Sequence, residues 1–213
     1  LIPAPGEAEG GRRSTARRAT AAAAFALVLA LSPVFGQGGA EANIRKVVAA
    51  AREQIGVTVI YDGSYRRLAY PGGDVPMERG VCTDVLIRAF RGAGVDLQVL
   101  VHEDMARTFD EYPHVWGLSR PDANIDHRRV PNLVVFFRRH GRSLRPSADP
   151  RDYLPGDIVV WRLPSGVPHI GLVSPARAPG TDRPLVIHNI GQGTREEDVL
   201  FAYDITGHFR YFV

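Results

Sequence analysis

The chain has 213 residues, 45% hydrophobic and 23% charged, which places it among ordinary globular proteins with enough length for one proper core. The formal net charge is +3 at pH 7, but much of the excess sits in an arginine cluster near the amino terminus, so the charge gives no ground for a nucleic-acid partner. A single cysteine, Cys82, excludes an intramolecular disulfide framework.

In chain order, Arg12, Arg13, Arg17 and Arg18 precede the apolar stretch "TAAAAFALVLALSPVFG", which is bounded by Pro33 and Gly36. That order is the order of a secretory signal peptide. The run is short for a membrane span of roughly 20 residues, and Ala40-Glu41-Ala42 offers a small-x-small cleavage site. Residues 1–42 are therefore read as a signal peptide or amino-terminal extension, with residues 1 to about 11 ahead of the true start, and residues 43–213 as a single domain. Left uncleaved, the stretch would serve as an anchor, the one circumstance giving the protein a membrane partner. The expected location is periplasmic or extracellular. No cysteine follows the apolar run, which argues against a lipoprotein anchor.

Asn43 is placed to cap a helix whose apolar positions Ile44, Val47, Val48, Ala51 and Ile55 recur at helical spacing, with Gly56 as its stop. Residues 57–80 are rich in Gly, Pro and Tyr and predict an irregular approach with one short strand. A second helix is predicted to start at or near Cys82, with Val81, Val85, Leu86, Ala89 and Phe90 as its buried stripe and Gly92 and Gly94 ending it. Asp96 caps a third, carrying Leu97, Leu100, Val101, Met105 and Phe109 up to Pro113. "GLSRPDANIDHRRVP" reads as loop, Asn132–His140 as a fourth helix stopped by Gly141, and residues 141–156 as loop again. After Gly156 come the β-branched runs "DIVVWRL", "HIGLVS", "PLVIHNI" and "VLFAYDITGHFRYFV", the last with a turn inside it. Helices first and strands afterwards predict an α+β domain with an antiparallel sheet.

A cysteine in the first turn of a helix meets the positive end of the helix dipole and free backbone N–H groups, both of which favour the thiolate. A nucleophile also needs a base within reach and a third group to orient that base. His169 in "PHIGLVS" and His188 in "VIHNIG" are singled out as histidines within predicted strands. The plain alternatives are that Cys82 is a small buried apolar filler and that each histidine serves the backbone.

These residues resemble the papain-like cysteine peptidases of the NlpC type, which cleave amide bonds in bacterial cell-wall peptides. The words that carry the resemblance are "GVCTDV" for the nucleophile at a helix start, "GDIV" for a strand opening, "HIG" for the base and "VIHN" for the third polar residue. A tyrosine closely followed by glycines, Tyr70 in "YPGGDVP", matches as well, and the likeness spans roughly residues 56–190. The fuller run "YDGSYRRLAYPGGDVP", "NIDHRRVPNL" and "FAYDITGHFRY" is similar to a bacterial family catalogued as domain of unknown function 1287 (DUF1287) over nearly all of the expected domain.

The resemblance implies a papain-like fold in which Cys82 is the nucleophile, His169 the general base, His188 its orienting residue, and the Cys82 N–H with the Tyr70 hydroxyl the oxyanion donors. It implies an acyl-thioenzyme, no cofactor, and cell-wall peptide or peptidoglycan as substrate and partner. Asn189 rivals His188, because neighbouring strand residues face opposite ways. The chain has Val81-Cys82-Thr83-Asp84 where those peptidases have Asp-Cys-Ser-Gly, which implies a different pocket floor. The segment 94–155 between helix and sheet is longer than the simplest of those peptidases need, and the charged loop residues within it, Asp122, Asp126, His127, Arg128 and Arg129, are expected to shape specificity. Two other readings stay open: a catalytically inactive relative that binds an envelope peptide or protein in the same cleft, and transfer of the acyl group to an amine or hydroxyl. "NIDHRR" and "HED" match no metal-ligand spacing, and "GQGTREE" is no phosphate-binding loop, so no metal is expected.

Overall fold

The computed structural model describes residues 37–213. Helix α1 (Gln37–Arg52) opens it. It begins ahead of the expected Asn43 cap because Ala40, Glu41 and Ala42 are themselves good helix formers. The sequence expectation for residues 1–36 lies outside the described residues.

Past α1 the chain is irregular apart from β1 (Ile60–Tyr61) and β2 (Arg79–Gly80), which form a short parallel pair. Helix α2 (Cys82–Gly92) follows, buried from Cys82 through Phe90. Helix α3 (Leu97–Arg107) starts on Asp96, whose side chain accepts the Gln98 N–H. Helix α4 (Val130–His140) ends at Gly141. The strands are β3 (Arg142–Leu144), β4 (Ile158–Arg162), β5 (Pro168–Arg177), β6 (Pro184–Asn189), β7 (Thr194–Glu197) and β8 (Asp204–Arg210). They form one antiparallel sheet in the order β3-β8-β4-β5-β6-β7, so the domain is α+β, with its helices ahead of its main sheet.

Strand alternation divides the sheet into two faces. Ile158, Val160, Ile170, Leu172, Ile187 and Phe209 join the core built with α1, α2 and α4. Val159, Trp161, Val173 and Val186 point the other way and close a smaller cluster with Tyr153 and Leu200.

Two buried arginines tie the irregular segment 58–80 to α2. The Arg128 guanidinium makes two bonds to Asp84, at 2.7 and 2.9 Å, and donates to the Ser64 and Asp62 carbonyls. Arg88, on α2 itself, donates to Asp74, Thr58 and the carbonyls of Val75 and Arg79. Asp84 also accepts the Val81 N–H at 2.7 Å, satisfying a free donor at the helix start. The charged residues 126–128 are thus buried framework, where an exposed charged loop was expected: a single 3-10 turn carries Asp126, His127 and Arg128 inward.

Removing one partner of a buried pair strands the other's charge, at about 3–5 kcal/mol. Asp84→Ala should lower the urea unfolding midpoint by that measure, and the double change Asp84→Leu with Arg128→Met should recover part of the loss. Equal midpoints for wild type and Asp84→Ala would show that the pair contributes nothing.

Candidate active site

Cys82 is the first residue of α2 and lines a cleft of about 550 Å³ with Tyr61, Tyr65, Trp116, Arg129 and Pro168. Its sulfur meets the Ile170 backbone N–H. That contact falls where the β5–β6 ladder has not yet closed, since the paired register starts at Leu172 and Ile187. The thiol therefore occupies the open end of a ladder, beside the peptide that joins His169 to Ile170.

Burial pushes the Cys82 thiol up to about 12, the Asp84 carboxylate adding to it while the N–H groups of Ile170, Thr83 and Cys82 pull the other way. The helix start was expected to favour a thiolate. Burial beside a fixed carboxylate outweighs the helix end here, and the resting group is the neutral thiol.

His169 Nε2 lies 2.8 Å from His188 Nδ1. Both rings are buried, and Trp161 stacks on His169 at 5.6 Å between centroids, as their direct pairing across β4 and β5 dictates. Burial, then the neighbouring His188, brings His169 down to about 3. His188 is also lowered by burial, with Glu197 opposing. Both imidazoles are neutral at neutral pH, and with Nε2 engaged, Nδ1 is the His169 atom left for a thiol. Asn189 faces the helices, donating to the Gly80 carbonyl at 3.2 Å and accepting the Gly191 N–H at 3.0 Å. Of the two candidates, His188 is the one bonded to His169.

Tyr70 does not join them. Its ring meets His102 edge-on at 5.2 Å, and the glycines that follow it bond to Asp96 and Gln98 at the start of α3. Asp96 pairs with Arg91 in the last turn of α2, and a helix of that length sets its two ends roughly 15 Å apart. The tyrosine beside Cys82 is Tyr61, whose hydroxyl is pushed up to about 12 by partial burial and by the nearby Cys82 and Asp84. Tyr61 opens the run "YDGSYRRLAYPGGDVP", but nothing in that run sets it apart from Tyr65 and Tyr70, and its strand contact with β2, immediately ahead of Cys82, is what places it. Trp116 went unnoticed in the sequence. It takes a left-handed conformation, φ 75°, and Arg129 sits 4.2 Å over its ring. Among the described residues no group of His, Cys, Asp or Glu is arranged to hold a metal ion.

Fold and site together define an α+β domain in which a helix-start thiol touches the Ile170 N–H, one peptide from a pair of hydrogen-bonded histidines on an antiparallel sheet, with no hydrogen bond between Cys82 and either ring among the described residues. The chain belongs to the family described as domain of unknown function (DUF1287), whose model matches residues 48–211. It is 60% identical over 175 residues to the uncharacterized protein YijF of Escherichia coli (strain K12), a match covering 81% of this chain and 84% of that protein.

The lowered histidines set a pH dependence of stability. An unfolded histidine takes its proton near pH ~6.5, whereas folded His169 holds off to about 3. The stability it contributes is whole above the unfolded value and is lost as pH falls through that window. His169→Gln should therefore lose less stability than wild type between pH ~6.5 and ~4.5, the two curves diverging by up to about 1.4 kcal/mol per pH unit. Parallel curves in urea titrations would contradict the assignment.

Proposed function

We propose that this protein is an exported cysteine hydrolase of papain-like, NlpC-type fold that cleaves amide bonds in cell-wall peptides through an acyl-thioenzyme. The observation that carries this reading is the thiol at the open end of the β5–β6 ladder, one peptide from a histidine whose far nitrogen is held at 2.8 Å by a second histidine. A nucleophile, a base and an orienting group are the three parts that acyl transfer requires.

In this scheme the substrate carbonyl enters the cleft and the Cys82 sulfur attacks its carbon. The thiol proton passes to His169 Nδ1 as the C–S bond forms, because the resting pair is neutral and holds no ready thiolate. The Cys82 N–H and the Tyr61 hydroxyl receive the oxyanion, Tyr61 taking the part expected of Tyr70. His169 returns the proton to the leaving amine and a thioester remains. Water then attacks the thioester, giving its proton to His169, and the carboxylic acid departs as the thiol re-forms.

Cell-wall stem peptides suit what adjoins the cleft. A hollow of about 670 Å³ shares Tyr65 with it and is lined by Arg67 and Arg120. Its one carboxylate, Asp122, is occupied by Tyr65 and Asn124. The arginines would meet the carboxylates that such peptides carry.

A second reading, a module that holds the same peptides without cutting them, is favoured by the thiol pushed up to about 12. Digestion of peptidoglycan and of soluble stem peptides by the wild type and by Cys82→Ser, followed by mass spectrometry, separates the two. The hydrolase gives new amine and carboxylate ends, lost by at least about 10³-fold in the variant, and an acid-trapped adduct on Cys82. Retention of peptide with no cleavage by the wild type selects the binding module.

A further inference from the structure

The two histidines leave one atom unaccounted for. His188 Nε2 is buried and makes no hydrogen bond of normal geometry, yet Glu197 Oε2 stands 3.5 Å from it. Glu197 lies on β7, the strand paired with β6, and its other oxygen is held by Arg195 at 3.2 Å. The carboxylate is thus shared, one oxygen to the solvent-side guanidinium and one toward the imidazole.

Proton bookkeeping along the chain gives this contact its meaning. For His169 Nδ1 to accept a proton it must begin bare, so the ring's own proton sits on Nε2 and is donated to His188 Nδ1. His188 must then carry its proton on Nε2, which faces Glu197. In the opposite arrangement each proton moves to Nδ1, and the bare Nε2 of His188 would face a carboxylate, lone pair against negative charge. Which ring nitrogen of a histidine carries the proton is set by what the other nitrogen meets.

We propose that Glu197 is a positioning residue: its carboxylate selects, through His188, the tautomer in which His169 Nδ1 is free to act as a base. The inference deepens the hydrolase reading and rests on His169 being that base. Its direct readout nevertheless needs no turnover. Arg195 tunes the effect, since it draws on the same carboxylate and lowers His188.

Long-range proton–nitrogen NMR on histidine-labelled full chain at pH 7 reports which nitrogen of each ring is protonated. Wild type should show His169 and His188 both protonated on Nε2. Glu197→Leu should shift both rings toward Nδ1–H and slow iodoacetamide modification of Cys82 by about tenfold or more, as loss of an orienting group does elsewhere. Glu197→Gln, which keeps an acceptor oxygen, should restore part of both. Glu197 is partly exposed on a short strand, and the double-histidine signals themselves report whether the fold survives. Identical ring signals in wild type and Glu197→Leu would overturn the proposal. Should His169→Ala leave the Cys82 rate untouched, the base reading fails instead, and the ring signals still decide the part played by Glu197.

Discussion

The Asp84 carboxylate holds the site together. It bonds the guanidinium of Arg128 and the Val81 N–H, and so fixes the first turn of α2 in the act of neutralising a buried arginine. Arg128 in turn carries the carbonyls of Asp62 and Ser64, so the segment bearing Tyr61 is hung from the same ion pair that sets Cys82. A buried pair of this kind adds little net stability against an apolar replacement, but it allows one arrangement and penalises others. Here the arrangement it allows is a thiol facing the unzipped end of β5 and β6.

That same carboxylate works against a ready thiolate. Asp84 and burial raise the thiol while burial lowers His169, so position and ionisation pull in opposite directions. On the proposed hydrolase reading the thiol proton shifts together with attack, for which an oriented neutral base matters more than a standing ion pair. Hydrogen-bonded His188 and the Trp161 ring stacked on His169 supply that orientation from the sheet's second face.

Much of this was legible in the chain because it follows from periodicity. The buried stripe of α2, the Asp96 cap, the Gly141 stop and the main strands all announce themselves by spacing and by turn residues. So does the placement of His169 and His188 in strands, although not their bond, which depends on β5 and β6 being neighbours. Short edge strands escaped: β3 lies in a stretch expected to be loop, and the polar "TREE" of β7 has no apolar alternation to read. Tyr70 misled because a motif spacing counts residues along the chain, whereas the loop of 58–80 carries that tyrosine to the far end of α2 and brings Tyr61 to the near one. The charges of 126–128 misled in the same way, since only the partner at Asp84 makes an interior arginine affordable.

The most direct test is the pH dependence of iodoacetamide modification of Cys82 in the folded protein, beside His169→Ala and a urea-unfolded control. The unfolded thiol should follow a plain titration near pH ~8.5. If His169 takes the thiol proton, the folded wild type reacts at pH 7 at least about tenfold faster than His169→Ala. Equal rates in the two folded proteins, or reaction only after unfolding, would contradict the pairing of Cys82 with His169 and favour the proposed alternative of a module that binds without cutting.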